Sequence, residues 1–139
     1  MSILGLGFLS LFPIAMTLKL VDIELSLPNW WWLFAANNLL FTCMAEETFF
    51  RGYLQNSLRA IPISPRYKTI VSISITSLLF GLAHFSGGLN YVIVATLAGA
   101  LYGLAYHWSG RLSIAVATHF LFNICHLLFF TYPLSNTYQ

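Results

Sequence analysis

The sequence predicts an all-α fold, a polytopic transmembrane helix bundle of about five spans around an intramembrane polar cavity. Hydrophobic residues make up 58% of the 139 residues, and the mean hydropathy is +0.77. Only 7% of the residues are charged, whereas soluble domains carry roughly 25%. Several apolar runs reach about 20 residues, the length that a membrane crossing needs. These observations exclude an ordinary soluble domain.

The predicted spans follow one another with short links. The first is predicted at about 2–20, where Pro13 introduces a kink. The second follows Pro28 and covers about 29–58. As one helix it would run roughly 45 Å, longer than a hydrocarbon core of about 30 Å, so we expect it to tilt or to protrude into the cytoplasm. The other three spans are predicted at about 69–86, 89–108 and 112–130.

The distribution of basic residues predicts the orientation. If the helices alternate, the N-terminus shares its side with four basic residues, namely Arg59, Arg66, Lys68 and Arg111. The opposite side holds Lys19 with two acidic residues. Because Lys and Arg concentrate in cytoplasmic loops, we expect a multi-pass protein of the cell membrane with a cytoplasmic N-terminus and an external C-terminus.

Net charge and cysteine content argue against nucleic-acid binding, a disulfide framework and a cysteine metal site. A net charge of +2 is too small for the basic footprint of a nucleic-acid-binding protein, so no nucleic-acid partner is expected. The two cysteines, Cys43 and Cys125, lie in apolar runs. They form neither a disulfide framework nor a metal-ligand spacing, and we interpret them as small core residues.

The stretch "AEETFFR" places three ionisable groups inside the second span, where each costs a few kcal/mol or more and is a candidate for function. Glu47 and Arg51 are four residues apart with the glutamate first, the favourable order for an ion pair. Glu46 lies about 100° further round the helix and cannot share this arginine as easily. The pattern predicts a structural Glu47–Arg51 pair and a separate carboxylate on Glu46, facing a wet cavity, which suits a general base.

Histidines on two later spans are the next candidates. His84 follows Phe80 by four residues on the third span, and His119 and Asn123 share one face of the fifth. A histidine in a membrane can simply make a hydrogen bond between helices. Together with Glu46, however, His84 and His119 could close around a water or a Zn²⁺ ion. The residues alone leave both interpretations open.

Four other polar residues favour structural roles. Asn37 and Asn38, in the outer half of the second span, are expected to hydrogen-bond to a neighbouring helix, and lining an access path is the alternative. His126 shares the face of His119 nearer the outer surface and is interpreted as structural. His107 lies near the inner interface, where we expect it to be solvated.

Three motifs in order carry a family resemblance. "EETFFR" reads as Glu-Glu-x-x-x-Arg, "FGLAH" as Phe-x-x-x-His and "HFLFN" as His-x-x-x-Asn, each on a separate apolar span. The trio resembles the CAAX prenyl protease and bacteriocin-processing (Abi-like) family of intramembrane endopeptidases, over about residues 40–126. Members usually have more spans, whereas only one precedes the glutamate pair here. The chain is therefore interpreted as a short member, a truncated one, or one that completes its bundle as a homo-oligomer.

The resemblance implies an endopeptidase whose catalytic residues lie in a membrane cavity. Glu46 would activate a water, and Glu47 would pair with Arg51. His84 would help to bind or activate the water. The predicted organisation is an N-terminal span and loop at 1–28, a catalytic core at 29–130 and a C-terminal tail at 131–139.

His119 and Asn123 would stabilise the tetrahedral oxyanion. Zinc is left open by the resemblance: either Glu46, His84 and His119 hold Zn²⁺, or the glutamate works without metal. The expected partners are a peptide or protein substrate at the membrane and the lipid bilayer. Two alternatives remain, a non-catalytic bacteriocin self-immunity or scaffold protein of the same fold, and a haem-binding or proton-conducting bundle that uses His84 and His119.

Overall fold

Five long helical elements, in the predicted order, make up the described part of the chain. The structure, a computed structural model, describes residues 3–133, with the side chains at positions 3, 4, 6 and 8 left aside. The elements are α1 (Ile3–Thr17), α2 (31–59), α3 (Pro65–Ala83), α4 (Leu89–Ser109) and α5 (Leu112–Phe129). The predicted all-α class is confirmed. The chain ends, residues 1–2 and 134–139, lie outside the described residues.

α2 matches the predicted second span within two residues, but its winding changes along its length. Two π-helical segments, Asn38–Cys43 and Thr48–Gln55, flank the short α-helical segment Met44–Glu47. π-helical turns occur frequently at functional sites, because the wider turn re-aims the side chains around it. The glutamate pair therefore lies between two such turns.

α3 begins and ends earlier than predicted. Pro65 is its first residue, a position where the missing N–H of proline costs nothing. The helix ends at Ala83, so His84 lies in the turn to α4 rather than inside a helix. Gly88 follows with a φ of 85°, a conformation that favours glycine. The turn aims His84 back toward the interior.

An aromatic core fills the space between the helices. Its buried members are contributed by α1, α2, α3, α4 and α5, and include Phe12, Phe50, Phe80, Tyr102 and Phe122. α1 thus packs into the same core as the later helices. This contribution was not predicted, because the sequence analysis placed residues 1–28 outside the catalytic core.

The segment between α1 and α2 is tied to the end of α5. The Glu24 N–H donates to the Phe129 carbonyl at 3.0 Å, and the Ser26 N–H donates to the Leu128 carbonyl at 3.1 Å. The N–H of Thr131 donates to the Asp22 carbonyl at 2.9 Å. The first two bonds satisfy carbonyls at the C-terminus of α5 that have no partner within the helix.

Two of the described helices, α4 and α5, are long and apolar enough to cross a membrane. α1 has 15 residues, α2 is divided by its π-helical segments, and α3 carries buried hydroxyl groups. Those of Ser72, Thr76 and Ser77 donate to carbonyls of their own helix. Five membrane crossings therefore stay a prediction.

Candidate functional site

Glu47 and Arg51 form the predicted ion pair at the centre of the molecule. The Arg51 Nε lies 3.1 Å from Glu47 Oε2, and Nη1 donates to Oε1 at 3.3 Å. Both side chains are 0% exposed. The Nη2 group donates to the Gly99 carbonyl on α4 at 2.6 Å. A Cβ at position 99 would lie 3.3 Å from that nitrogen, so glycine lets the helix backbone come close to the guanidinium.

One helical turn further along α2, Gln55 repeats the same contact. It is fully buried, and its Nε2 donates to the Gly103 carbonyl at 3.2 Å. Gly99 and Gly103 form a Gly-x-x-x-Gly pattern, which permits close helix approach in membranes. The sequence analysis missed this pairing. The signal was available in "GALYG" and in the polar residue eight positions after Glu47.

Three aromatic rings surround the buried guanidinium of Arg51. Its carbon lies 4.8 Å from the ring centroid of Phe80, 5.5 Å from that of Tyr102 and 5.7 Å from that of Phe50. These distances are within the range of cation–π attraction. A carboxylate, a carbonyl and three rings together compensate the desolvation of one charge.

His119 belongs to the Glu47–Arg51 cluster. Its Nδ1–H donates to Glu47 Oε1 at 2.9 Å, since a carboxylate can only accept. Its ring stacks on Tyr102, with centroids 4.5 Å apart and ring planes 14° from parallel. Glu47 and Tyr102 therefore fix the position and plane of the imidazole, and Nε2 is the nitrogen left for a ligand. The sequence grouped His119 with Glu46, whereas the structure bonds it to Glu47.

His84 is held by the end of its own helix. Its Nδ1–H donates to the Phe80 carbonyl at 2.8 Å, which leaves Nε2 for another partner. The Phe80 ring lies 4.7 Å from the His84 ring and 5.8 Å from the His119 ring. Phe80 therefore separates and supports both histidines as well as Arg51.

A cavity of about 470 Å³ brings three of the six predicted site residues together. His84, His119 and Asn123 line it, as do Asn38 and His126. α1 contributes part of the apolar wall, with Leu11, Phe12 and Ala15. A volume of this size is in the range of ligand pockets.

Glu46 lies beside this cavity and is not one of its lining residues. It is half-buried, and its Oε2 atom is buried without a hydrogen-bond partner in the described part of the chain. Thr42, one turn earlier on α2, does line the cavity. The two adjacent glutamates therefore have different surroundings.

Asn38 makes a contact between helices, as the sequence analysis favours. Its Oδ1 accepts a hydrogen bond from Asn123 Nδ2 at 3.1 Å. Asn37 is exposed. The two cysteines, Cys43 and Cys125, are free thiols. Cys43 is buried beside Asn38 and Asn123.

The remaining two histidines have backbone or surface partners. His126 Nε2–H donates to the Thr131 carbonyl at 3.0 Å. Its ring contacts that of Tyr132 at 5.5 Å, and burial raises the pKa of this tyrosine, which follows α5 at the cavity edge. His107 accepts at Nδ1 from the Arg59 Nη2 group at 3.2 Å. It is therefore paired rather than only solvated.

The zinc prediction depends on whether metal-ligating side chains are grouped in the described part of the chain. Within residues 3–133, no three His, Cys, Asp or Glu side chains are placed to hold one ion together. The predicted ligands Glu46, His84 and His119 are thus not grouped, although the Nδ1 bonds of both histidines leave Nε2 as a possible ligating atom. Zn²⁺ stays a prediction of the resemblance, to be tested by metal analysis of the purified protein.

Residues 28–125 match the family described as "Type II CAAX prenyl endopeptidase Rce1-like". The chain belongs to this family. The match covers more than half of the chain and spans all three motifs, from Glu46 to Asn123. The Rce1-like assignment confirms the resemblance and, with the two apolar helices, indicates a membrane protein. At the family level the activity is that of a CAAX protease-type intramembrane endopeptidase. Neither the curated proteins nor the solved structures gave a match.

Proposed function

We propose that this chain is an intramembrane endopeptidase in which Glu46 activates a water for attack on a peptide bond. The supporting observation is the difference between the two glutamates. Both oxygens of Glu47 lie within ion-pair distance of Arg51 or His119, whereas Glu46 Oε2 is buried with neither a hydrogen bond nor an ion pair among the described residues. A buried polar atom of this kind needs a ligand such as water.

The reaction requires one base and one group of donors. Glu46 accepts a proton from the water while the water oxygen attacks the carbonyl carbon of the peptide bond. The carbonyl oxygen then becomes an oxyanion. Glu46 then returns the proton to the leaving amine as the C–N bond breaks. His84, through Nε2, orients the water. A general base of this type contributes typically 10²–10⁴ in rate.

His119 can stabilise the oxyanion only as an imidazolium. Its Nδ1–H is bonded to Glu47, so Nε2 donates only when the ring carries both protons. Asn123 adds a neutral donor.

Glu46→Gln tests this mechanism, because it keeps the size of the side chain and removes the base. The assay is cleavage of peptides with and without a C-terminal prenyl group by the reconstituted protein, followed by mass spectrometry. We expect kcat to fall at least about 10²-fold, with unchanged folding in detergent. Glu24→Gln, on an exposed residue, is the matched control and should retain activity.

Equal cleavage by Glu46→Gln and the wild type would refute the role of Glu46. A wild-type protein that cleaves no peptide of either kind, yet protects cells against a bacteriocin, would support the non-catalytic self-immunity alternative. A haem spectrum of the purified protein would support the haem-binding alternative.

We also propose that the chain is a multi-pass protein of the cell membrane with a cytoplasmic N-terminus and an external C-terminus. The support is the excess of Lys and Arg on one side of the predicted spans. A reporter that is active only in the cytoplasm, fused after Gln139, should therefore be silent. Fusion of the same reporter before Met1 is the control and should be active; the opposite pattern would reverse the orientation.

A further inference from the structure

Asn38 is a buried polar residue of the cavity wall that none of the family motifs includes. It is 7% exposed and lines the same cavity as His84, His119 and Asn123. A buried carboxamide has to be hydrogen-bonded to offset its desolvation. The partners of Asn38 connect it directly to one of the groups assigned to the oxyanion.

Three contacts join Asn38, Cys43 and Asn123 into a triangle. Asn123 Nδ2 donates to Asn38 Oδ1 at 3.1 Å and lies 3.7 Å from Cys43 Sγ. The Cys43 thiol in turn donates to Asn38 Oδ1 at 3.2 Å. The Asn38 oxygen therefore receives one donor from its own helix and one from α5. Two donors on one oxygen fix the orientation of the Asn38 carboxamide.

The π-helical turn makes this triangle possible. Asn38 and Cys43 are the first and last residues of the segment Asn38–Cys43. Residues five apart point about 140° away from each other in a regular α-helix, but pair in a π-helix, whose bonds run from i to i+5. The wider turn therefore places the thiol against the Asn38 oxygen.

The triangle uses only one of the two N–H groups of Asn123. By the law of cosines, its three distances place the two acceptors about 55° apart as seen from Nδ2, less than half of the roughly 120° between the N–H bonds of a planar carboxamide. One N–H therefore faces both acceptors. The second N–H is directed away from them, and Asn123 lines the cavity.

We propose that Asn38 is a positioning residue, which holds the carboxamide of Asn123 so that its second N–H faces the substrate carbonyl. This inference rests on the proposed function, in which Asn123 is an oxyanion donor. Without the Asn38 acceptor, the Asn123 carboxamide can rotate and direct its oxygen toward the developing negative charge. A misplacement of about 1 Å can cost 10²-fold in rate.

A double-mutant cycle on kcat and KM tests the proposal. We expect Asn123→Ala to lower kcat about 10²–10³-fold, the usual loss for one oxyanion donor. Asn38→Ala should lower kcat about 10- to 100-fold with little change in KM. Because Asn38 acts through Asn123, the double variant should be no more than about threefold slower than Asn123→Ala. Asn37→Ala, on the adjacent exposed asparagine, is the matched control and should behave as the wild type.

Two kinetic outcomes would overturn the positioning role and leave the proposed function intact. One is a wild-type kcat for Asn38→Ala while Asn123→Ala is slow. The other is a further loss of about tenfold or more when Asn38→Ala is added to Asn123→Ala, which would show an independent role. An active Asn123→Ala protein, or an inactive wild type, would instead overturn the proposed function of the site.

Thermal unfolding of the same proteins in detergent tests the contact without catalysis. If Asn38 holds Asn123, the two single variants should each lower Tm and the double variant should lower it by less than their sum. Additive losses would show that the two carboxamides are not coupled, which would overturn the inference even if the chain is an active protease. A variant that fails to fold is detected by the same measurement.

Discussion

Adjacent glutamates on α2 lead to two regions of opposite character. Around Glu47 the polar groups are paired, with Arg51, His119 and the Gly99 carbonyl in contact and rings on the remaining sides. Around Glu46 a carboxylate oxygen is buried with neither a hydrogen bond nor an ion pair in the described residues. The comparison teaches that a charge inside an apolar bundle is either neutralised by its neighbours or kept for a ligand.

The paired region also orients the reactive one. Glu47 binds Nδ1 of His119 and so leaves Nε2 as the nitrogen that can contact a ligand. Phe80 contacts Arg51, His84 and His119 at once. A substitution in the paired region will therefore also alter the cavity residues through these shared neighbours. Matched variants are needed to separate the effect on stability from the effect on the cavity.

The largest expected effect on stability is from Arg51→Ala. Removing one partner of a buried ion pair leaves the other charge uncompensated and typically costs about 3–5 kcal/mol in the free energy of unfolding. The double variant Glu47→Gln with Arg51→Gln removes both charges and should recover much of the loss, since a glutamine at position 47 can still accept from His119. Denaturation in detergent and the expression level measure the loss in the single variant and the recovery in the double variant. A double variant no more stable than Arg51→Ala would show that the pair is not what stabilises this region.

A smaller effect is expected from Gly99→Ala. The added Cβ would lie 3.3 Å from Arg51 Nη2 and 3.2 Å from the Phe80 ring, so these neighbours must shift. Overpacking of this kind costs about 1–3 kcal/mol. Gly52→Ala is the matched control, because its Cβ would have no contact closer than 3.7 Å. The substitution brings the same gain in helix propensity. We expect Gly99→Ala to be the less stable of the two by that amount, measured by thermal unfolding; equal stability would mean that Arg51 does not need the close backbone.

The sequence predicts those parts of the site that are local in the chain. The Glu47–Arg51 pair follows from a spacing of four residues on one helix, and the boundaries of α4 and α5 follow from Gly and the apolar runs. His119 could not be assigned to Glu47, because their contact joins residues 72 apart in sequence and depends on how the helices pack. The π-helical turns of α2 were also missed, since they keep the same apolar pattern while shifting the register of Asn38 and Cys43.

The hydrogen bonds between residues 22–26 and 128–131 have a consequence for biogenesis. They connect the loop after α1 to the end of α5, with Thr131 bonded to Asp22 across 109 residues. The loop that follows α1 can therefore reach this position only after α5 has been translated.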